Sequence, residues 1–301
     1  MREPAPRPLL FVSNSASDFG EITVSYHRPF YGTVALLALL CVACSDLTAK
    51  TEQPAPETAQ PKVADGDCFA AIDDAEVTQA QRKAQVAADR ERAAAWVAVG
   101  HAFVRVARTQ IRPELYRNVE ACATRALAVA PSDVDALHLR GMVMMDAHQF
   151  ADARALAQQL IERDADDVAA WGLLSDASLE LGAIADATTA AQRMVDLKPS
   201  LLSYGRAAHM RFLAGDTAGA LGLYSLAIAS GRPLKDREPS AWMMVEAALV
   251  FLHKGDYAGA EAGFDAALRE VPGYEPALAA KRQAARARAD KPTSDSIKAS
   301  L

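Results

Sequence analysis

The sequence predicts an all-α protein built from repeated helix pairs that stack into a solenoid. Hydrophobic residues make up 51% of the 301 residues but aromatic residues only 6%, because alanine supplies much of the apolar total. Alanine has the highest helix propensity, and the chain shows little of the alternation that is typical of strands. Punctuating residues also recur at a fixed spacing: Pro131 and Pro199 lie 68 residues apart, which is twice 34.

The clearest repeat unit lies near the C-terminus, at 255–273. In this unit Ala260 is followed at four residues by Phe264 and then by Pro272. The pattern resembles the second-helix signature of the tetratricopeptide repeat (TPR), whose period is 34 residues. Small residues of this kind let two helices approach closely, and large ones fill the gaps between pairs.

The first-helix signature of the same family also occurs. Residues 96–103 match its W-x2-L-G-x2-Y pattern closely, and 137–141 and 171–175 match it in part. The resemblance covers most of 90–290. It implies a right-handed α-α superhelix, in which no helix pair can bury its apolar face alone and stacking is obligatory.

The repeat pattern predicts about five helix pairs within a solenoid at 94–290. A lead-in helix is expected in the segment 67–93, a polar capping helix at 275–290, and a disordered tail at 291–301. Polar terminal helices are what a solenoid needs at its ends. The predicted pairs are 94–130, 134–167, 168–200, 201–235 and 241–274.

The first 43 residues resemble a secretory signal peptide. Residues 34–42 form an apolar run that is shorter than the roughly 20 residues of a membrane-spanning helix, and it fits a signal h-region. The run leads to Cys41-Val42-Ala43-Cys44, which resembles a bacterial lipobox, although Cys41 stands where leucine is usual. The resemblance implies cleavage before Cys44 and acylation of its sulfur. An ordinary secretory signal and a plain membrane anchor are the alternatives.

The residues around this signal bear on its start and on its destination. The stretch 1–23 holds acidic residues that are unusual in a signal n-region, so a later start, for example at Val24, is an alternative to Met1. Ser45 follows the lipobox cysteine, and in Gram-negative lipoproteins a residue other than Asp there implies sorting to the outer membrane. Residues 44–66 then join the lipidated cysteine to a segment rich in Pro, Thr, Ala and Gln, which predicts a flexible linker.

Two further cysteines, Cys68 and Cys122, would remain in the processed chain. In an oxidising compartment they can pair. The alternative is two unpaired thiols, one of them a small buried residue on a helix.

The stretch "HLRGMVMMDAH" at 138–148 holds two histidines and three methionines. His138, Met142 and Met145 are spaced i, i+4, i+7 and therefore share one face of a helix. The TPR resemblance implies that this face lines the concave groove, whereas His148 occupies the turn, where glycine is usual. The same mapping adds further groove residues from the next three units: Asp176, Leu179, His209, Phe212, Trp242 and Leu249, with Val245 and Leu252 beside them.

The residue types allow three interpretations of that face. A largely apolar groove with adaptable methionines suits a peptide or a partner helix. Some of these side chains could instead pack under neighbouring helices. Thioether and imidazole are also soft ligands that suit copper, so His138, Met142 and Met145 could bind a soft metal.

The sequence predicts no enzyme, cofactor or metal centre. It contains no His-Glu-x2-His, no Gly-x-Ser-x-Gly and no glycine-rich phosphate loop. A net charge of −6 without a basic patch disfavours nucleic acid. The expected function is a non-enzymatic envelope scaffold that binds a protein or peptide. The alternatives are a periplasmic copper-binding protein and an accessory subunit of an envelope enzyme complex.

Overall fold

A computed structural model describes Cys68, residues 92–231 and residues 236–299, which all belong to one compact unit. The predicted signal peptide, Cys44, the linker and most of the lead-in helix lie outside the described residues. None of the described helices is both long enough and apolar enough to cross a membrane.

The described residues form eleven α-helices and no strand, which confirms the prediction of an all-α solenoid. A short 3-10 helix, Pro113–Leu115, precedes the second of them. In chain order the helices are α1 (Ala93–Gln110), α2 (Tyr116–Val129), α3 (Val134–Asp146), α4 (Phe150–Arg163), α5 (Val168–Glu180), α6 (Ile184–Leu197), α7 (Leu201–Leu213), α8 (Thr217–Ala229), α9 (Glu238–His253), α10 (Tyr257–Glu270) and α11 (Glu275–Ala299).

Polar N-caps set where many of these helices begin. The Asp133 carboxylate accepts a hydrogen bond from the Ala136 amide at 2.8 Å and caps α3. Asp167 caps α5 in the same way, and Ser200 closes a capping box with Ser203 at the start of α7. Each cap satisfies amides that the helix itself leaves without a partner.

The turn inside each helix pair uses a left-handed residue. Gly182, Gly215 and Gly255 have φ between 75° and 80° there. In the second pair His148 adopts the same conformation, with φ of 57°. The prediction that His148 lies in the turn is therefore confirmed.

The five pairs are packed into one continuous array. Each first helix contacts its own second helix and the second helix of the preceding pair. Leu139 of α3, for example, is fully buried in the core of the first pair beside Trp96 and Cys122. Where α7 meets α9, a Cβ on Gly205 would collide with the sulfur of Met243, so glycine permits the close approach.

The first and the last units also contact each other. Helix α1 packs against α9 and α11, and Arg105 Nε lies 3.1 Å from Asp236 Oδ2. Because successive first helices also touch one another, α1, α3, α5, α7 and α9 form a row that curves back on itself. We call these five helices the inner row.

Two predicted boundaries are wrong. Helix α9 begins at Glu238, before the expected 241, because Pro239 suits a first helical turn. Helix α11 continues to Ala299, where the sequence predicted a disordered tail from 291. Pro292 removes only one backbone hydrogen bond, and the Ala- and Arg-rich turns before it favour helix.

Candidate protein-binding face

His138, on α3, is held by the next unit. Its Nε2 lies 2.8 Å from Asp167 Oδ2, and both side chains are largely buried. The other oxygen of Asp167 accepts hydrogen bonds from the amides of Ala169 and Ala170, each at 3.0 Å. One carboxylate therefore caps α5 and links the second unit to the third.

Asp176, on α5, is paired in a similar way with α7. Arg206 donates from Nε to Asp176 Oδ1 at 2.9 Å and from Nη2 to Oδ2 at 2.7 Å. This two-point geometry is the strongest arrangement available to a guanidinium and a carboxylate. The pair connects the third unit to the fourth.

A second polar cluster lies where α1 meets α9 and α11. Glu238 is buried, and its carboxylate accepts a hydrogen bond from the Tyr274 hydroxyl at 2.9 Å. Burial raises the pKa of Glu238, although the nearby charge of Arg108 opposes that effect. Burial also raises the pKa of the Tyr274 hydroxyl, and Glu238 adds to the increase.

Helix α9 carries a carboxyl group with weaker hydrogen-bonding support than the carboxylates of Asp167 and Asp176. Glu246 Oε2 lies 3.7 Å from His209 Nδ1, which is too far for a hydrogen bond, and its side chain is only 16% exposed. Burial raises the pKa of Glu246 to about 7. One helical turn earlier, Trp242 is 42% exposed. Trp242 and Glu246 share a face of α9 because they are four residues apart.

The remaining predicted residues are partly buried in the packing between units. Met142 packs against the core of the first pair, and Leu179 packs beside Met210 of the fourth. Phe212 stands 5.2 Å from the ring of His253, measured between centroids. Met145 and Leu249 are also half-buried, Leu249 against the core of the fifth pair, whereas Val245 is fully buried there.

The nine predicted groove residues therefore share one property: none is fully buried, and Trp242 is exposed. In the structure His209 lies next to α9. Two units lie between the unit of His138 and the unit of α9. Sequence reasoning missed Arg206, Glu246 and Arg108. Glu246 could have been found from its position four residues after Trp242, on the same helical face.

The candidate copper ligands His138, Met142 and Met145 do not form an open set of metal ligands. One imidazole nitrogen of His138 is taken by Asp167, and Met142 contributes to the first core. Within the described ranges, no three His, Cys, Asp or Glu side chains lie close enough together to hold a metal ion.

The two remaining cysteines pack into the first pair. A disulfide joins Cys68 to Cys122 of α2, with the two Cα atoms 4.9 Å apart. Both side chains are buried in the core of that pair.

Comparison with solved structures finds the same fold in other proteins. A thermophilic TPR protein from Thermus thermophilus superposes with a TM-score of 0.51 at 17% identity, covering 62% of this chain and 98% of that one. A chain of the APC/C hetero-tetramer Cut9-Hcn1 gives a TM-score of 0.55 at 13% identity, covering 67% of this chain and 36% of that one. YrrB, described as a TPR protein with an unusual peptide-binding site, gives 0.38 at 16% identity, covering 67% and 97%.

No protein-family model and no curated protein matches the sequence. The structural likeness shows that the chain has the fold of TPR proteins.

Proposed function

We propose that this protein is a non-enzymatic scaffold of the bacterial envelope, and that it binds a polypeptide partner along its inner row. The observation that carries the proposal is the partial exposure of nine side chains spread over α3, α5, α7 and α9. The same helices bury Leu139, Ala208 and Val250 almost completely on their other faces. A face with apolar side chains and a few polar points suits a polypeptide segment.

The fold is compatible with this function without specifying the partner. TPR proteins serve generally as protein-interaction scaffolds, and one solved example of this fold, Cut9-Hcn1, is a hetero-tetramer. Groove chemistry varies freely within one fold, so the partner has to be inferred from the site.

The test is position-specific photo-crosslinking in envelope preparations of the source organism. Benzoylphenylalanine would replace Met145 or Leu249 on the inner row, or the exposed outer residues Gln159 and Glu261 as matched controls. We expect one discrete adduct from the inner positions and none from the outer ones. Equal labelling from both sets, or no adduct from either, would contradict binding on the inner row.

The proposed location is the periplasmic side of the outer membrane, with a lipid on Cys44. The lipobox resemblance supports the anchor, Ser45 supports sorting to the outer membrane, and a disulfide between Cys68 and Cys122 suits an oxidising compartment. Cys44→Ala should release the protein from the membrane fraction and abolish incorporation of labelled palmitate. Unchanged membrane association with unchanged labelling would show that Cys44 is not the anchor.

A further inference from the structure

Trp242 and Glu246 share one face of α9, and His209 of α7 lies beside Glu246; we refer to these three residues as the α9 cluster. Trp242 leaves 42% of its surface exposed, whereas Trp96 in the first pair is completely buried. Glu246 lies one turn further along α9, and His209 reaches toward it from α7. The cluster combines an exposed aromatic ring with a carboxyl group one helical turn away on the same face.

The carboxyl group of Glu246 lacks the compensation that the carboxylates of Asp167 and Asp176 have. Asp176 accepts two hydrogen bonds from Arg206, and Asp167 accepts two from backbone amides and lies within hydrogen-bond distance of His138. Among the described residues, Glu246 has only the His209 imidazole, at 3.7 Å. Burial without a partner disfavours a charge, and the raised pKa of Glu246 reflects that cost.

The surroundings of the cluster favour a cation. Glu238 lies on the same helix, and the Tyr274 hydroxyl experiences the negative charge of both Glu238 and Glu246. The nearby guanidinium of Arg108 lies close to Glu238, where it offsets that carboxyl group. The apolar side chain of Leu249, further along the same face, suits the aliphatic stem of a long basic side chain.

We propose that Trp242, Glu246 and His209 form a subsite for one lysine or arginine side chain of the polypeptide partner. The inference rests on the proposed function of the inner row and specifies the chemistry of what binds there. The cation stacks on the Trp242 ring while the Glu246 carboxylate neutralises its charge. A metal ion fits less well, because the described residues offer no third His, Cys, Asp or Glu beside the pair.

The test uses the full chain labelled with 5-fluorotryptophan, whose three signals are assigned with a Trp242→Phe variant. The probe is Nα-acetyl-lysine methylamide, and Nα-acetyl-norleucine methylamide, which lacks the charge, is the matched control. We expect a saturable shift of the Trp242 signal with the lysine probe only. In Glu246→Gln the lysine affinity should fall by about tenfold or more, while Glu261→Gln, on the outer side, should bind like the wild type. Equal shifts with norleucine, or undiminished lysine binding by Glu246→Gln, would overturn the subsite.

The crosslinking experiment separates this inference from the proposed function. An adduct from Leu249 without any lysine response in the wild type would refute the subsite and leave the scaffold proposal standing. A lysine response that depends on Glu246, without any adduct, would support the subsite and refute the scaffold proposal.

Discussion

The inner row has two chemically different parts. From α3 to α7, two polar pairs connect neighbouring units: His138 with Asp167, and Asp176 with Arg206. On α9, by contrast, Trp242 is exposed and Glu246 lacks a hydrogen-bonded partner among the described residues. The paired part holds neighbouring repeats together. The part on α9 offers an exposed ring and a carboxyl group without a hydrogen bond among the described residues, and for that reason we propose that it contacts the partner.

Asp167 should be the most sensitive position in the paired part. Asp167→Ala removes the N-cap of α5 and leaves His138 without its partner, so we expect a loss of about 2–3 kcal/mol in the free energy of unfolding. Asp256→Ala is the matched control, because Asp256 caps α10 through the Gly259 amide and has no such second role in the described part of the chain. The control should lose about 1 kcal/mol. Urea denaturation of both variants measures the difference, and equal losses would show that the His138 contact contributes nothing.

Glu246→Gln should change the free energy of unfolding in the opposite direction and stabilise the protein. The pKa of Glu246 is raised from 4.5 to about 7 in the folded protein, so its ionisation costs stability, and this cost develops as the pH rises from about 4.5 to 7. Because glutamine does not ionise, the variant should be more stable than the wild type at pH 8 by about 1–3 kcal/mol and nearly equal to it at pH 4.5. Urea denaturation at both pH values tests this. A variant that is less stable at pH 8 would mean that the Glu246 charge is compensated after all.

The Asp176–Arg206 pair should give a smaller effect, because both side chains remain partly exposed. A double-mutant cycle with Asp176→Asn and Arg206→Gln should yield a coupling free energy of about 0.5–1 kcal/mol. The coupling should shrink at high salt. A coupling of zero at low salt would remove this pair from the set that connects the repeats.

The sequence was sufficient for the repeat architecture and for single turns, but not for contacts between distant units. The spacing of Pro131 and Pro199 and the position of His148 predicted the helix pairs and a turn, since both depend on local backbone preferences. The contact between Arg105 and Asp236 depends on the accumulated curvature of five units, and no local pattern encodes that curvature. Glu246 was missed because it was not among the positions that the family mapping placed in the groove, although it lies four residues after Trp242. Met142 was expected in the groove, but it also reaches the core of the preceding unit, which only packing could reveal.

The most direct test of the difference between the two parts of the inner row is the pKa of the Glu246 carboxyl group. We would measure it by 13C NMR on the full chain labelled at glutamate, with Glu246→Gln to assign the signal. We predict a midpoint at about 7, caused by burial of the carboxyl group without a hydrogen-bonded partner. In the presence of Nα-acetyl-lysine methylamide the midpoint should fall, because a bound cation favours the ionised form. A midpoint at the ordinary value of 4.5 for the free protein would show that burial does not disfavour the Glu246 charge, and the distinction between the two parts of the inner row would be lost.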